Sequence, residues 1–391
     1  MKKKLAVIIN GDLSINRQGQ LNSAISRVKH LKQLDVYDID VFCIQEYDFG
    51  LLRRIHCQKR IVQISQQVVD GITVNVVYKK NLLIDTLFEK LLHISPLYST
   101  FCYHKIAKMI KGYDMVVGHS SLGGLMAYYV REHNDTPYCV VWHGSDIHTL
   151  PVNNKRTKEL TRRTLKNSSG NFFVSRSLLN TAMEVFGDVP YPHISYNAPG
   201  EEFVRYTDER RAELRQDKGV YGKSVVAFAG NLVPVKNVFT LPGIYKRIKE
   251  HCGNVAFWII GDGPLREPLM NKMVVCAVEC KFWGNQQPEN MPDFMNCIDV
   301  LVLPSKNESF GMVLVEAISC GANVVGSNCG GIPEVIGKEN CFEMDDMFEE
   351  NISERIIYML KNKVVQRVNS EFDWHKTAKN EVRQFTEILN H

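Results

Sequence analysis

Long apolar runs are absent from this sequence of 391 residues. No segment approaches the roughly 20 apolar residues that a membrane-spanning helix needs. Lysines at positions 2–4 precede the apolar run Leu5–Ile9, as at the start of a signal peptide, but Asn10-Gly11-Asp12 interrupts that run. The run therefore predicts a first β-strand, and we expect a cytoplasmic protein.

Paired cysteines and clustered metal ligands are also scarce. The 11 cysteines are odd in number, form no Cys-x-x-Cys pair and fall largely inside apolar runs, which favours reduced thiols. Cys276 and Cys280 have no further ligands near them in sequence. Asp38-Ile39-Asp40 matches an Asp-x-Asp metal motif, but it precedes an early strand and is interpreted as loop polarity. We predict no required metal, no organic cofactor and no nucleic-acid partner.

Low-complexity tracts and short repeats are likewise missing, and the chain is long enough for two domains. Strand-like apolar runs alternate with helical patterns, which predicts βαβ units and parallel sheets. The strand signals are Leu5–Ile9, Asp40–Ile44, Thr73–Val77, Met115–Gly118, Tyr138–Trp142, Asn171–Val174, Ser224–Ala229, Asn254–Ile260, Lys281–Trp283, Val300–Leu303 and Ala322–Val325.

The alternation restarts after a charged segment, Pro199–Lys223, that contains helix breakers. We therefore predict an α/β protein with two doubly wound domains, residues 1–198 and 199–373. Ligands of such sheets bind at the carboxyl ends of the strands. The amphipathic tail at 374–391 is predicted to be a helix that has no place in the second sheet.

Charge is distributed unevenly although the net charge is only +4. Residues 1–195 hold 25 Lys and Arg against 16 Asp and Glu, whereas residues 196–391 hold 22 against 27. The two halves thus carry +9 and −5, which predicts different binding partners.

The most informative segment runs from Pro304 to Glu334. The apolar run Val300–Leu303 leads into a polar turn that opens an amphipathic helix predicted at 310–319. Ser309 is a candidate cap for that helix, and Gly311 lets a ligand approach the first backbone N–H groups. Free N–H groups and the helix dipole form an anion site suited to phosphates.

Two carboxylates flank this predicted anion site. Glu308 precedes the helix and Glu316 lies inside it, roughly 12 Å away at 1.5 Å rise per residue. Together with Gly321 and Gly330-Gly331-Ile332-Pro333-Glu334, they resemble the donor signature of the retaining family 4 glycosyltransferases, which have the GT-B fold. The plainer alternative is an ordinary strand–turn–helix segment with two solvated glutamates.

The resemblance implies two Rossmann-like domains facing a central cleft, with the C-terminal helix returning to the first domain. It implies a donor site for a nucleoside diphosphate sugar, with UDP or GDP as the nucleotide. The backbone near the helix start and several loops would bind this donor: Gly230, Asn231, Lys236, Gly261, Gly263, Pro264, Gly284, Asn285, Ser309, Phe310, Gly311, Met312 and Glu316.

One position departs from the family pattern. Asn231 stands where the family often has an arginine, which leaves one fewer fixed positive charge for the diphosphate. Lys236 would then carry phosphate charge together with the helix N-terminus. Trp283 is expected to pack rather than to stack on the base.

The first domain carries a second part of the resemblance. Trp142-His143-Gly144-Ser145-Asp146 resembles the acceptor-side histidine motif, so His143 is a candidate catalytic residue that hydrogen-bonds a sugar or the reacting centre. Asp146, His119 and Gly19 are further acceptor-side candidates. For His119, acceptor contact and a structural turn remain equal alternatives.

Two basic rows in the first half are either solvated faces or a surface for anionic lipid. They are Lys158, Arg162 and Lys166, and Lys105, Lys108 and Lys111. Each near-surface cation would add on the order of 1 kcal/mol to lipid binding. A peripheral membrane position and a polyprenyl-diphosphate-linked or glycan acceptor are therefore among the predictions.

The resemblance implies a retaining, metal-independent hexosyltransferase that serves polysaccharide or glycolipid synthesis. His143, Glu308 and Lys236 are its predicted catalytic residues, Glu308 supporting the transferred sugar and Lys236 the departing diphosphate. The alternatives are a nucleotide-sugar epimerase and a catalytically silent partner subunit that binds nucleotide sugars.

Overall fold

The computed structural model describes residues 2–13, 19–48, 55, 63–82, 97–362 and 364–390. The chain divides into two compact units. The first comprises Met1–Asn197 and Trp374–His391, and the second comprises Ala198–Asp373.

The first unit is built on an eight-stranded sheet in the order β3-β4-β2-β1-β5-β6-β7-β8. All neighbours are parallel except β3 and β4. The strands are β1 Lys4–Asn10, β2 Asp38–Asp48, β3 Gln66–Val69, β4 Ile72–Asn81, β5 Met115–His119, β6 Tyr138–Trp142, β7 Gly170–Phe173 and β8 Pro192–Ile194.

Strand β3 is an antiparallel strand that the sequence pattern did not predict. It pairs with β4 through a tight turn at Asp70 and Gly71, both of which have positive φ. Such a turn suits a two-residue hairpin. The strand carries Gln66 and Gln67 at the sheet edge, so it has little of the apolar signal that marks the other strands.

Helices cover the sheet of the first unit. They are α1 Gly19–Gln33, α2 Leu97–Met109, α3 Ser120–Asn134, α4 Ser145–His148, α5 Leu150–Asn153, α6 Lys155–Lys166, α7 Arg176–Phe186 and the C-terminal α15 Trp374–Asn390. The core between β1, β2, β5 and α1 includes Ala378 and Phe385 of α15. The tail therefore completes the core of the first unit, as the sequence predicted.

A buried ion pair joins α15 to α1 and to the end of the first segment. Arg27, fully buried, bonds to Glu381 and donates from Nη2 to Asn197 Oδ1 over 2.9 Å. Ser195 accepts from the same guanidinium and donates to Glu381. Breaking such a pair by removing one partner typically costs about 3–5 kcal/mol, because it leaves an uncompensated buried charge.

The second unit has a six-stranded, wholly parallel sheet in the order β11-β10-β9-β12-β13-β14. Its strands are β9 Ser224–Ala229, β10 Val255–Ile260, β11 Cys280–Gly284, β12 Val300–Leu303, β13 Asn323–Ser327 and β14 Cys341–Phe342. Its helices are α8 Asp208–Asp217, α9 Leu241–His251, α10 Arg266–Val275, α11 Met291–Met295, α12 Met312–Ser319, α13 Ile332–Ile336 and α14 Phe348–Asn362.

Helix α8 lies inside the segment that the sequence marked as a connection. Thr207 caps it by accepting from the backbone N–H of Arg210. Of its ten residues only Leu214 is buried, so it has no apolar stripe to detect. Arg215 instead holds it in place through an ion pair with Asp299, 3.0 Å between Nη2 and Oδ2.

No helix within the described residues is long and apolar enough to cross a membrane.

Candidate functional site

The second unit has the strand order 3-2-1-4-5-6 of doubly wound folds, and its order reverses between β9 and β12. Ligands of such sheets bind beyond the carboxyl ends of the strands at this reversal. The loops after β9 and β12 carry Lys236 and Glu308, respectively. Topology therefore brings the two predicted catalytic residues of this unit to the same place.

Lys236 and Glu308 form an ion pair between Nζ and Oε2. Their side chains are 21% and 18% exposed, respectively, so both are accessible to a ligand. Lys236 ends a 3-10 turn that begins at Pro234, and the N–H of Lys306 donates to Val235 O over 2.8 Å. This backbone hydrogen bond joins the two loops and thereby holds Lys236 beside Glu308.

Helix α12 begins beside Glu308, but Ser309 does not cap it as predicted. Gly311 occupies the N-cap position at φ +86°, and the helix starts at Met312. A residue in this left-handed conformation is best supplied by glycine, which moves the helix start two residues past the expected one. The roughly 12 Å estimate for Glu308 and Glu316 therefore loses its basis, because Glu308 lies outside the helix.

Phe310 contributes backbone rather than side chain to this region. Its ring is 2% exposed and packs edge-to-face on Phe372 at 5.2 Å between centroids. The ring anchors the loop in the core of the second unit. Only the main-chain groups around Gly311 and Met312 are left to meet an anion.

The glycine pair of the sequence motif packs against the loop that carries Glu308. A Cβ on Gly330 would lie 2.0 Å from Glu308 O, and one on Gly331 would lie 2.2 Å from Ser309 O. The N–H of Gly331 also donates to Glu308 O over 2.7 Å. These glycines are therefore required for positioning Glu308.

The predicted donor-binding glycines after β9 and β10 contact each other. A Cβ on Gly261 would lie 2.1 Å from Gly230 O, and one on Gly263 would lie 2.5 Å from Leu232 O. The N–H of Leu232 donates to Asp262 O over 2.9 Å. The close backbone approach accounts for these glycines without any ligand.

Arg266 is a charged group that the sequence reasoning missed. Its guanidinium lies 3.3 Å from Asp262 Oδ2 and about 4.0 Å from where a Cβ on Gly284 would stand. The loops after β9, β10, β11 and β12, which carry the predicted donor-binding residues, are here called the donor loops. Arg266 therefore adds a cation among the donor loops, in a unit where Asn231 stands at a position that often holds arginine in the family it resembles. The sequence feature that could have identified Arg266 is its position directly after the Gly-x-Gly-Pro-Leu turn.

The remaining loop candidates differ in exposure. Asn231, Pro264 and Asn285 are exposed and accessible to solvent. Trp283 is half-buried and packs edge-to-face on Phe294 at 5.0 Å, as the packing interpretation predicted.

Glu316 is half-buried within α12. Burial raises the pKa of Glu316 to about 7, and the negative charge of Glu202 adds to that effect. The carboxyl group is therefore partly protonated near neutral pH, unlike a solvated glutamate.

In the first unit, His143 directly follows β6 and is half-buried. The N–H groups of His143 and Gly144 both donate to the carboxylate of Asp146, over 3.0 and 2.6 Å. Asp146 is 1% exposed and shapes this turn from beneath. Its carboxylate oxygens accept hydrogen bonds from the backbone, so Asp146 positions the turn of His143, and its contact with the acceptor stays a prediction.

His119, at the end of β5, is likewise buried and hydrogen-bonded within the first unit. Its ring is 2% exposed, and its Nδ1 lies 3.1 Å from Nε2 of His143. The structure thus favours the structural alternative for His119 over direct acceptor contact. Gly19, the first residue of α1, is exposed with open space around it and contacts none of these groups.

A cavity of 290 Å³ opens at the carboxyl ends of β1 and β2 in the first unit. Asn10, Asp12, Gln45 and Glu46 are among its lining residues. Ser120 donates to Asn10 Oδ1 over 2.7 Å at its edge. The polar side chains suit a ligand rich in hydroxyl groups.

Among the described residues no three His, Cys, Asp or Glu side chains are grouped closely enough to hold a metal ion. In particular, Asp40 accepts a hydrogen bond from Tyr113 over 2.8 Å.

Comparison with known families adds to this geometry. Residues 210–381 match the family model described as glycosyl transferases group 1. The match covers Lys236, Glu308 and Glu316 and the four loops after β9, β10, β11 and β12, whereas His143 lies outside it. Over these residues the chain is similar to the glycosyl transferases group 1 family.

Curated relatives of this chain are distant. It is 23% identical over 279 residues to the putative teichuronic acid biosynthesis glycosyltransferase TuaC of Bacillus subtilis, covering 68% of each protein. It is 26% identical over 235 residues to the N-acetyl-alpha-D-glucosaminyl L-malate synthase of Bacillus anthracis, covering 58% of each.

Solved structures show the fold of this chain. Anabaena HepE in complex with UDP aligns with a TM-score of 0.70 at 17% identity, covering 99% of this chain and 97% of HepE. Sucrose-phosphate synthase from Thermosynechococcus elongatus aligns with a TM-score of 0.74 at 15% identity, covering 99% and 100%. The predicted GT-B fold with two Rossmann-like α/β domains is confirmed.

Proposed function

We propose that this chain is a retaining glycosyltransferase that moves a hexose-type sugar from UDP-sugar or GDP-sugar to a hydroxyl group. The observation that carries the proposal is the pairing of Lys236 with Glu308 at the strand-order reversal of the second unit, beside the N-terminus of α12. A cation and free backbone N–H groups suit a diphosphate, and the adjacent carboxylate suits sugar hydroxyls.

In the proposed reaction, these groups either stabilise the charge of the departing diphosphate or support the sugar. The bond between the anomeric carbon and the β-phosphate oxygen breaks, and the acceptor oxygen bonds to the same face of that carbon. The acceptor proton passes to the leaving phosphate. Lys236, Arg266 and the N–H groups near Met312 stabilise the negative charge of the departing diphosphate, and Glu308 supports the sugar.

The acceptor is proposed to be a glycan or a polyprenyl-diphosphate-linked sugar in polysaccharide or glycolipid synthesis. The polar cavity of the first unit and the half-buried His143 of the same unit support binding of hydroxyl groups in that unit. TuaC is described as acting in teichuronic acid biosynthesis, and HepE has been solved with UDP and with UDP-glucose. These descriptions support the donor and acceptor classes by similarity alone.

We propose that no metal is needed, because Lys236, Arg266 and the helix N-terminus supply positive charge at the diphosphate. The residues assigned to the donor offer only Glu308 and Glu316 as carboxylate ligands. Glu308 is already paired with Lys236.

The function is tested by donor consumption with and without glycan or lipid-linked acceptors, in buffer with EDTA. We expect release of UDP or GDP that depends on the acceptor, and an α-linked product from an α-linked donor. K236A and E308Q should each lower kcat by about 100-fold or more, as loss of one preorganised charge does in comparable sites. K306A is the matched control, because Lys306 is an exposed lysine of the same loop.

Several outcomes contradict the proposal. Conversion of the donor sugar without acceptor indicates a nucleotide-sugar epimerase. A UDP- or GDP-induced rise in melting temperature with no turnover in any assay indicates a silent binding subunit. Near-normal rates in K236A and E308Q overturn the assignment of residues, and turnover abolished by EDTA overturns metal independence.

Peripheral membrane association is proposed through the exposed face of α2 and the residues after it, here called the α2 face: Phe101, Lys105, Lys108, Met109 and Lys111. Phe101 and Met109 are 66% and 65% exposed, respectively, and all three lysines are exposed. Exposed apolar side chains among lysines suit an anionic lipid surface. On α6, by contrast, Arg162 pairs with Glu159 and Lys166 with Asp188, so the two surfaces differ.

A further inference from the structure

His119, which is buried, and His143, which is half-buried, form a pair at adjacent strand ends. His119 ends β5 and His143 follows β6, its parallel neighbour. Nδ1 of His119 lies 3.1 Å from Nε2 of His143, and the ring planes are inclined by 28° with 5.3 Å between centroids. One hydrogen bond therefore joins the two imidazoles.

Both rings are neutral in this arrangement. Burial and, to a smaller extent, the nearby Arg27 guanidinium together lower the pKa of His143 to about 3. Burial, His143 and Arg27 together lower the pKa of His119 well below its usual value. A neutral imidazole has one donor and one acceptor nitrogen, so the shared bond couples the tautomers of both rings.

Only two tautomer arrangements satisfy this bond. If His143 Nε2–H donates, the proton of His119 must sit on its Nε2, a buried atom without a hydrogen-bond partner in the described part of the chain. If His119 Nδ1–H donates, its buried Nε2 carries only a lone pair. An orphaned buried N–H is rarer and costlier than an unused acceptor, so the second arrangement is favoured.

We infer that His119 is a positioning residue that donates to His143 and holds it in the Nδ1–H tautomer. His143 then presents a hydrogen-bond donor rather than a base to the bound sugar. This inference rests on the proposed function for the meaning of His143, but not for the tautomer itself. It predicts that Nδ1–H of His143 donates a hydrogen bond to a substrate oxygen, such as that of a sugar hydroxyl group.

The tautomer is measured directly by long-range 1H–15N NMR of the full chain labelled with 15N-histidine. His143 is assigned by the signal that disappears in H143Q. We expect the proton of His143 on Nδ1 in the wild-type protein. A proton on Nε2 of His143 overturns the inference, whether or not the protein is active.

Variants of His119 separate positioning from packing. H119N keeps a donor at the place of Nδ1–H and should preserve both the tautomer and kcat/KM within about threefold. H119L removes the donor and H119D replaces it by an acceptor, so both should move the proton of His143 towards Nε2 and lower kcat/KM by at least about tenfold. The UDP- or GDP-induced melting shift should stay unchanged in all three.

An Nδ1–H tautomer that persists in H119L and H119D overturns the inference. So does an equal loss of kcat/KM in H119N and H119L, because a donor at this place would then be irrelevant. If no sugar donor gives turnover with the wild-type protein, the proposed function fails while the NMR result still decides the tautomer.

Discussion

At the scale of single residues, the environment of each carboxylate decides its charge. Glu308 bonds to Lys236, whereas Glu316 lies in α12 with Glu202 as a neighbour of like charge. The same residue type thus serves two different tasks. Glu308 pairs with a cation, whereas burial, with a smaller contribution from Glu202, raises the pKa of Glu316.

The raised pKa of Glu316 predicts a pH-dependent stability. Between pH 4.5 and 7 the folded protein keeps a proton that the unfolded chain has lost, so the free energy of unfolding falls as the pH rises through this interval. E316Q should abolish that fall, gaining on the order of 1–3 kcal/mol relative to wild type between pH 4.5 and 7.5. Amide hydrogen exchange of β9 and β12 peptides, compared at each pH, measures it.

E202Q provides the graded control for Glu316. It removes the like charge but leaves the burial, so its gain should lie between those of wild type and E316Q. A difference between E316Q and wild type that stays constant with pH contradicts the raised pKa.

At the scale of elements, the donor loops are held by backbone packed on backbone. Gly261 and Gly263 lie against Gly230 and Leu232, and Gly330 and Gly331 lie against the loop of Glu308. Any side chain at these places pushes two loops apart. The glycines of the sequence motif therefore set the geometry of the loops. They affect ligand binding only by way of that geometry.

Substitution of Gly263 tests this account. G263A places a Cβ 2.5 Å from Leu232 O at φ +156°, so it should lower the free energy of unfolding by about 1–3 kcal/mol and weaken nucleotide binding. G253A is the matched control, since Gly253 has open space around it. Melting temperature and the nucleotide-induced shift measure both effects. Equal behaviour of the two variants contradicts the loop-packing role.

At the scale of the whole molecule, the two halves of the chain differ in charge. The excess of cations belongs to the first half of the chain, and the exposed lysines of the α2 face are part of it. On α6, two of the three cations in the row already have acidic partners. Equal counts of basic residues therefore predict unequal binding to an anionic surface.

Charge reversal tests this difference with vesicles of phosphatidylglycerol and phosphatidylcholine. K105E/K108E/K111E should weaken binding to the anionic vesicles by at least about 100-fold, at about 1 kcal/mol for each lysine lost. K158E/R162E/K166E is the control of equal charge change and should bind nearly as wild type. Cosedimentation measures both. Equal loss in the two variants, or equal wild-type binding to pure phosphatidylcholine, contradicts the α2 face.

Much of the fold was predictable because the sequences of buried parallel strands are continuous apolar runs. Tyr138–Trp142, Ser224–Ala229 and Val300–Leu303 are strands with the predicted bounds. Helix α8 and strand β3 were missed because they are polar, and their contacts rather than their periodicity hold them in place.

By itself the sequence determined the two parallel α/β sheets, the C-terminal helix and the candidates Lys236, Glu308 and His143, because local pattern and motif spacing encode them, whereas the return of that helix to the first domain was implied only by the family resemblance. Only the tertiary structure decided which groups meet. It paired Lys236 with Glu308, placed Arg266 among the donor loops, and turned Asp146 and His119 towards His143. These contacts join residues from separate strand ends, and the order of strands in a sheet is not contained in any local pattern.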